Sequence, residues 1–114
     1  MAGLAWSKGA REIAIGIHQG DHAIYPDCRV SFYNAMNQAI AEGTDHNVLI
    51  TAPFLHTDKT GILDWGFRHE VPYHLTRTCY KDQELSCGKC GSCVERLEAF
   101  AFHNTKDPIK YEGQ

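Results

Sequence analysis

Residues 12–51, EIAIGIHQGDHAIYPDCRVSFYNAMNQAIAEGTDHNVLIT, decide the fold of this chain. They open on Glu12-Ile13-Ala14-Ile15-Gly16-Ile17, an apolar run of strand length that suits a buried parallel strand. A polar, turn-rich loop follows, from His18 to Cys28. Between Ser31 and Glu42, the residues Phe32, Ala35, Met36, Ala39 and Ile40 recur at helical spacing, and Gly43 supplies a stop. Asn47 to Thr51 reads as a second strand. Strand, helix, strand in this order indicates an α/β architecture with a parallel sheet.

Working outward, Ala2 to Lys8 is compatible with a short helix closed by Gly9. A helix from Lys59 to His69 would bury Ile62, Leu63 and Phe67, with Trp65 and Phe100 also assigned to core. Val71 to Leu75 reads as extended, and a last helix from Val94 to His103 presents Val94, Leu97, Phe100 and Ala101 on one face. Two strands do not make a comfortable sheet, because both remain open to pairing along a hydrophobic edge. The chain therefore reads as part of a doubly wound parallel sheet that associates with itself or with a partner chain. Residues 1–76 form the partial α/β domain on this reading, and residues 77–114 a cysteine knuckle with a C-terminal helix.

The knuckle carries the densest chemistry. Cys87, Cys90 and Cys93 form two consecutive C-x-x-C steps in C-G-K-C-G-S-C, with Cys79 upstream. Thiolates at this spacing favour a soft tetrahedral metal, and a closed, structural Cys₄ zinc site is the leading expectation. An iron–sulfur cluster is the principal rival, but such clusters usually place the fourth cysteine downstream and follow it with proline; here Val94 follows the run. Paired disulfides are disfavoured by a fifth cysteine, Cys28, and by an N-terminus without a secretory pattern.

The 114 residues and a net charge of −3 bound the rest: one small domain, without the basic surface that nucleic-acid binding needs. No stretch has the apolar length of a membrane span, and reduced cysteines point to the cytoplasm. The seven histidines show no metal-ligand spacing and read as surface or loop residues.

In open α/β sheets, ligands bind beyond the carboxyl ends of the strands. The loop after the first strand puts Asp21, Tyr25, Asp27, Cys28 and Arg29 there. Arg29 suits bidentate grip of a carboxylate or phosphate. Asp27 is placed either to cap the following helix or to act in a site, and Asp21 has no capping task. Cys28 is an inert thiol unless its thiolate is stabilised. Lys59, in the first turn of a helix, opposes the helix dipole, an unfavourable choice that suggests it faces an anion.

Taken together, I-G-I-x₃-D-x₃-Y-P-D-C-R from Ile15 to Arg29 and C-G-x-C-x-S-C-x-x-R-x-x-A-F from Cys87 to Phe100 resemble the 7-cyano-7-deazaguanine synthases of queuosine precursor biosynthesis. Pro53, Lys59, Ile62, Gly66, Val71-Pro72, Thr76 and Cys79-Tyr80 extend the resemblance, which covers about Ala2 to Tyr111. It implies the C-terminal half of a PP-loop, ATP-pyrophosphatase-type domain. It implies ATP-dependent conversion of 7-carboxy-7-deazaguanine and ammonia to the nitrile through an adenylated carboxylate. By match, Cys79, Cys87, Cys90 and Cys93 would hold zinc, and Asp21, Tyr25, Asp27, Arg29 and Lys59 would line or support the deazapurine site. The family's phosphate-binding S-G-G-x-D-S run does not occur in this sequence, so ATP would have to be held by a partner chain. Arg77-Thr78 stands where the family tends to have Trp-Ser. The expectation is a synthase portion inactive alone; the competing one is a non-enzymatic, zinc-stabilised module that binds a small molecule or a protein.

Overall fold

A computed structural model describes residues 1–114, which form two compact units, Met1–Asp58 and Lys59–Gln114. This division falls earlier than the motif-based one at residue 76.

The first unit holds helix α1 (Ala2–Ser7), strand β1 (Glu12–Ala14), helix α2 (Val30–Gly43) and strand β2 (Leu49–Thr51). The strands pair in parallel with Glu12 opposite Leu49, Ile13 opposite Ile50 and Ala14 opposite Thr51. Mixed α/β structure with a parallel sheet is as the sequence indicates; both strands are shorter than expected. Ile15 makes the last ladder bond, its N–H to the Thr51 carbonyl at 2.9 Å. Beyond Thr51 the chain turns through Pro53, and nothing remains for Gly16 and Ile17 to pair with. Asn47 is drawn out of the strand by its amide, which donates to the carbonyls of Thr44 and Asp45.

Alternation along the strands leaves one face of the sheet bare. Ile50 is buried, while Glu12, Ala14 and Leu49 on the opposite side are exposed. Parallel sheets normally have both faces covered.

Helix α2 also departs from its hydrophobic pattern. Phe32, Ala35, Met36 and Ala39 are exposed, and the side turned inward is led by Tyr33, Asn37, Ala41 and, just past the helix, Thr44. The reason lies in two hydrogen bonds: the Ile50 N–H donates to Asn37 Oδ1 at 2.8 Å, and the Tyr33 hydroxyl donates to the Ile50 carbonyl at 2.9 Å. Satisfying a buried backbone pair outweighs turning an apolar stripe inward when little lies there to cover it. Asn37→Ala is expected to destabilise the first unit by about 1–3 kcal/mol, the cost of an orphaned donor. Urea unfolding checks this, and a change below about 0.5 kcal/mol would contradict it. Gly43 does not end the helix; Thr44 does, its hydroxyl donating to the Ile40 carbonyl, followed by Asp45 and His46 at φ of 50° and 59°.

The second unit packs α3 (Lys59–Arg68) on α4 (Gly91–Phe102). Leu63, Ala99 and Phe100 are its apolar centre, with the Tyr73 ring against them. That ring explains Gly66, where a Cβ would lie 1.7 Å from the Tyr73 hydroxyl. Tyr73–Leu75 is a 3₁₀ turn rather than the expected extended segment, because the Thr76 N–H and hydroxyl both return to the Tyr73 carbonyl. Trp65 and Phe67 are exposed, not core, since Gly66 and Leu63 take the inward side of α3. Val94 is likewise exposed, and α4 starts three residues earlier than expected, at Gly91.

Candidate metal centre and polar loop

Cys79 enters the knuckle from the loop after the 3₁₀ turn, Cys87 and Cys90 lie on the bend before α4, and Cys93 is in its first turn. All five cysteines are free thiols. The Sγ atoms of Cys79, Cys87, Cys90 and Cys93 lie within 4.8 Å of one another, a cluster able to hold a metal ion.

Backbone amides already point at the sulfurs. The Cys87 N–H donates to Cys79 Sγ at 3.4 Å, and the N–H groups of Lys89 and Cys90 donate to Cys87 Sγ at 3.4 and 3.3 Å. Gly88 makes this bend possible with φ of +67°, a region where a side chain is strained. Electrostatics separate the thiols. Amides of Cys93 and then Tyr80 bring the Cys90 thiol down to about 6. The Cys87 amide lowers Cys79, whereas burial, with help from Cys90, pushes Cys93 up to about 12. Cys87, Cys93 and Tyr111 form a buried cluster with Leu97 and Ile109 against it, so these two thiols sit in the second unit's core, with Cys79 and Cys90 half-buried at its edge.

Beside the knuckle is a network the sequence did not reveal. Arg96 Nε and Nη2 donate to Asp107 at 2.6 and 2.9 Å, and Nη1 donates to Thr76 Oγ1 at 2.8 Å. The Tyr111 hydroxyl donates to the same carboxylate at 2.6 Å. The guanidinium also lies 5.4 Å from the centre of the Phe100 ring. Asp107 has no periodicity or spacing to mark it; a long-range partner alone gives it meaning.

In the first unit, Asp21, Tyr25, Asp27 and Arg29 share the loop between β1 and α2, on two 3₁₀ turns, Gln19–Asp21 and Pro26–Cys28. Asp21 is bridged to His18, whose Nε2 lies 3.0 Å from the carboxylate and whose Nδ1 accepts from the Gly20 N–H. His18 lies in a loop, one of the two places expected of the histidines, but is buried there rather than at the surface; only its contacts distinguish it. Asp27 does not cap α2: the N-cap is Arg29, without a side-chain cap. Arg29 Nε donates to the His22 carbonyl at 3.0 Å. Cys28 is raised by burial and then by the charges of Asp27 and Asp21, which suits an inert thiol. Lys59 belongs to the second unit, where it does face an anion, the Glu95 carboxylate at 2.7 Å. It borders an apolar cavity of about 170 Å³ that Leu63, Tyr73, Thr78 and Phe100 also line.

The fold and the site together define a mixed α/β protein with a four-cysteine cluster suited to a metal and a polar loop at the end of its first strand. Residues 1–104 match the family of queuosine biosynthesis protein QueC, and the chain belongs to that family. It is 51% identical over 110 residues to the 7-cyano-7-deazaguanine synthase of Psychromonas ingrahamii, spanning 96% of this chain and 50% of that protein. The corresponding synthase 1 of Colwellia psychrerythraea is 50% identical over 108 residues, and that of Porphyromonas gingivalis 49% over 112. The chain spans about half the length of these curated relatives. No helix is long and apolar enough to cross a membrane.

Proposed function

We propose that this chain is the zinc-bearing half of a 7-cyano-7-deazaguanine synthase and works with a polypeptide that supplies the ATP-binding loop. The observation that carries the proposal is the near-complete match of this chain to half of proteins so named, at about 50% identity. Zinc suits the four sulfurs: bonds of about 2.3 Å in a tetrahedron set them about 3.8 Å apart, and Cys87 and Cys93 stand at 4.0 Å. A fully thiolate, closed set leaves no position for substrate, so the ion crosslinks the knuckle rather than reacting.

The β1–α2 loop would receive the 7-carboxy-7-deazaguanine. Arg29, anchored through Nε, keeps its terminal nitrogens for an anionic carboxylate or phosphate. Asp27, exposed and not engaged as a cap, can accept from the N–H edge of a purine-like ring. The His18 bridge fixes Asp21, and Tyr25 completes the residues of this loop assigned to binding or supporting substrate. Adenylation of the carboxylate needs a phosphate loop, which these 114 residues do not contain.

The test is reconstitution. The isolated chain with ATP, ammonia and 7-carboxy-7-deazaguanine is expected to form no nitrile, and to form it once a polypeptide carrying S-G-G-x-D-S is added. Asp27→Ala or Arg29→Ala should then lower the rate at least about tenfold, the loss of roughly 1.4 kcal/mol. Robust ATP turnover by the chain alone would refute the proposal.

A further inference from the structure

Cys87, Cys90 and Cys93 follow one another within seven residues, but Cys79 reaches them across a stretch of its own, residues 80–86. The far end of that stretch is fixed: Ser86 is buried, bridges to Tyr111, and accepts from the Glu112 N–H at 2.9 Å. Before it, residues 80–85 form neither helix nor strand. A ligand carried on such a stretch adds the entropy of ordering it to the cost of gathering the ion.

One side chain holds the stretch in place. Arg77 Nη2 donates to the carbonyls of Lys81 and Gln83 at 2.8 and 2.7 Å, and Nη1 donates to that of Glu84 at 3.1 Å. Two bonds internal to the stretch tighten it: the Gln83 N–H to the Lys81 carbonyl at 3.1 Å, and Gln83 Nε2 to the Leu85 carbonyl at 2.7 Å. A guanidinium presents its donors in a rigid planar fork, which here meets three carbonyls at once; an ammonium is a single point on a flexible stem.

The carbonyls of this stretch turn to Arg77, and its first amides turn to sulfur. The Cys87 amide foremost, and that of Lys81 with it, hold the Cys79 thiol down against burial. Behind the Cys93 amide, that of Tyr80 lowers Cys90. Lys81 therefore stands between the guanidinium and the thiol cluster. Groups that orient the ligands of a metal set its affinity, and losing one typically costs about 10–100-fold.

We propose that Arg77 is a positioning residue for the metal ion, holding Lys81, Gln83 and Glu84 so that Cys79 and the amides beside it meet the other three sulfurs. It acts through the backbone and ligates nothing itself. The identity of the ion rests on the zinc reading above; the role of Arg77 rests on its three carbonyl contacts.

The zinc-loaded chain and its Arg77→Lys variant, which keeps the charge and loses the fork, test the inference. Arg77 is exposed, so the exchange leaves no cavity. Competition with a chromophoric chelator should show the variant holding zinc at least tenfold more weakly. Alkylation of the loaded chains by iodoacetamide, mapped by mass spectrometry, should run at least tenfold faster at Cys79 in the variant, with Cys87 and Cys93 as slow as before. Arg68→Lys is the control: Arg68 is exposed, lies 3.1 Å from Asp64, and its variant should match the unaltered chain in both measurements.

Equal zinc affinity in Arg77→Lys and the unaltered chain overturns the inference, as does unchanged alkylation at Cys79. So does alkylation that rises at all three cysteines together, the mark of general unfolding, or a loss that Arg68→Lys shares. An unaltered chain that takes up no zinc removes the zinc reading and this role with it. One that holds zinc no better than Arg77→Lys does removes the role of Arg77 alone.

Discussion

Replacing Arg96 by alanine should bring the second unit close to unfolding, with a loss of about 3–5 kcal/mol. Side chains of Arg96 and Asp107 are 5% and 2% exposed, so removing one leaves the other as a buried, uncompensated charge. Small domains hold only about 5–15 kcal/mol in total, and the same guanidinium also ties down Thr76 and the Tyr73 carbonyl. Arg96→Lys should rescue little, because an ammonium cannot reproduce the planar fork that meets two carboxylate oxygens and a hydroxyl. Thermal unfolding of the two variants checks both statements; a loss below 1 kcal/mol for Arg96→Ala would show that the network is dispensable.

The network also sets the behaviour in acid. Burial pushes the Asp107 carboxyl up, but hydrogen bonds from Arg96, Tyr111 and the Ile109 N–H outweigh it, and the net shift is downward. A depressed folded value means the unfolded chain binds the proton first. The contribution is thus complete above the ordinary carboxylate value, near pH 4, and is lost as pH falls through the folded one. Asp107→Asn should flatten that acid limb in a pH series of melting temperatures, as well as lowering stability at neutral pH.

The second large effect concerns the thiols. Cys87→Ser or Cys93→Ser should abolish binding of a single metal ion and unfold the second unit, since both residues are at most 1% exposed within its core. Structural zinc contributes on the order of 10 kcal/mol of apparent binding free energy, which in such sites is folding free energy. Chelation should do the same to the unaltered chain. Cys28→Ser is the control: its thiol lies outside the cluster, and metal content and melting temperature should hold. Native mass spectrometry with calorimetry reads both quantities. Full native structure in metal-free protein would defeat the expectation.

What the sequence determined by itself is local and covalent in origin. C-x-x-C spacing keeps three thiols within seven residues of one another, from the bend before α4 into its first turn, close enough in the chain to share one ion. Apolar runs and helical periodicity located both strands and all four helices, because those signals depend on near neighbours in the chain. Tertiary structure alone decided the rest. It turned Tyr33 and Asn37 inward in place of Phe32 and Met36, since a strand's unpaired backbone required them. It gave Asp107 a cation and His18 a carboxylate, pairings no periodicity encodes. It also closed the outer backbone groups of Ile50 with side chains of α2, because hydrogen-bond satisfaction is settled by what each group meets across space.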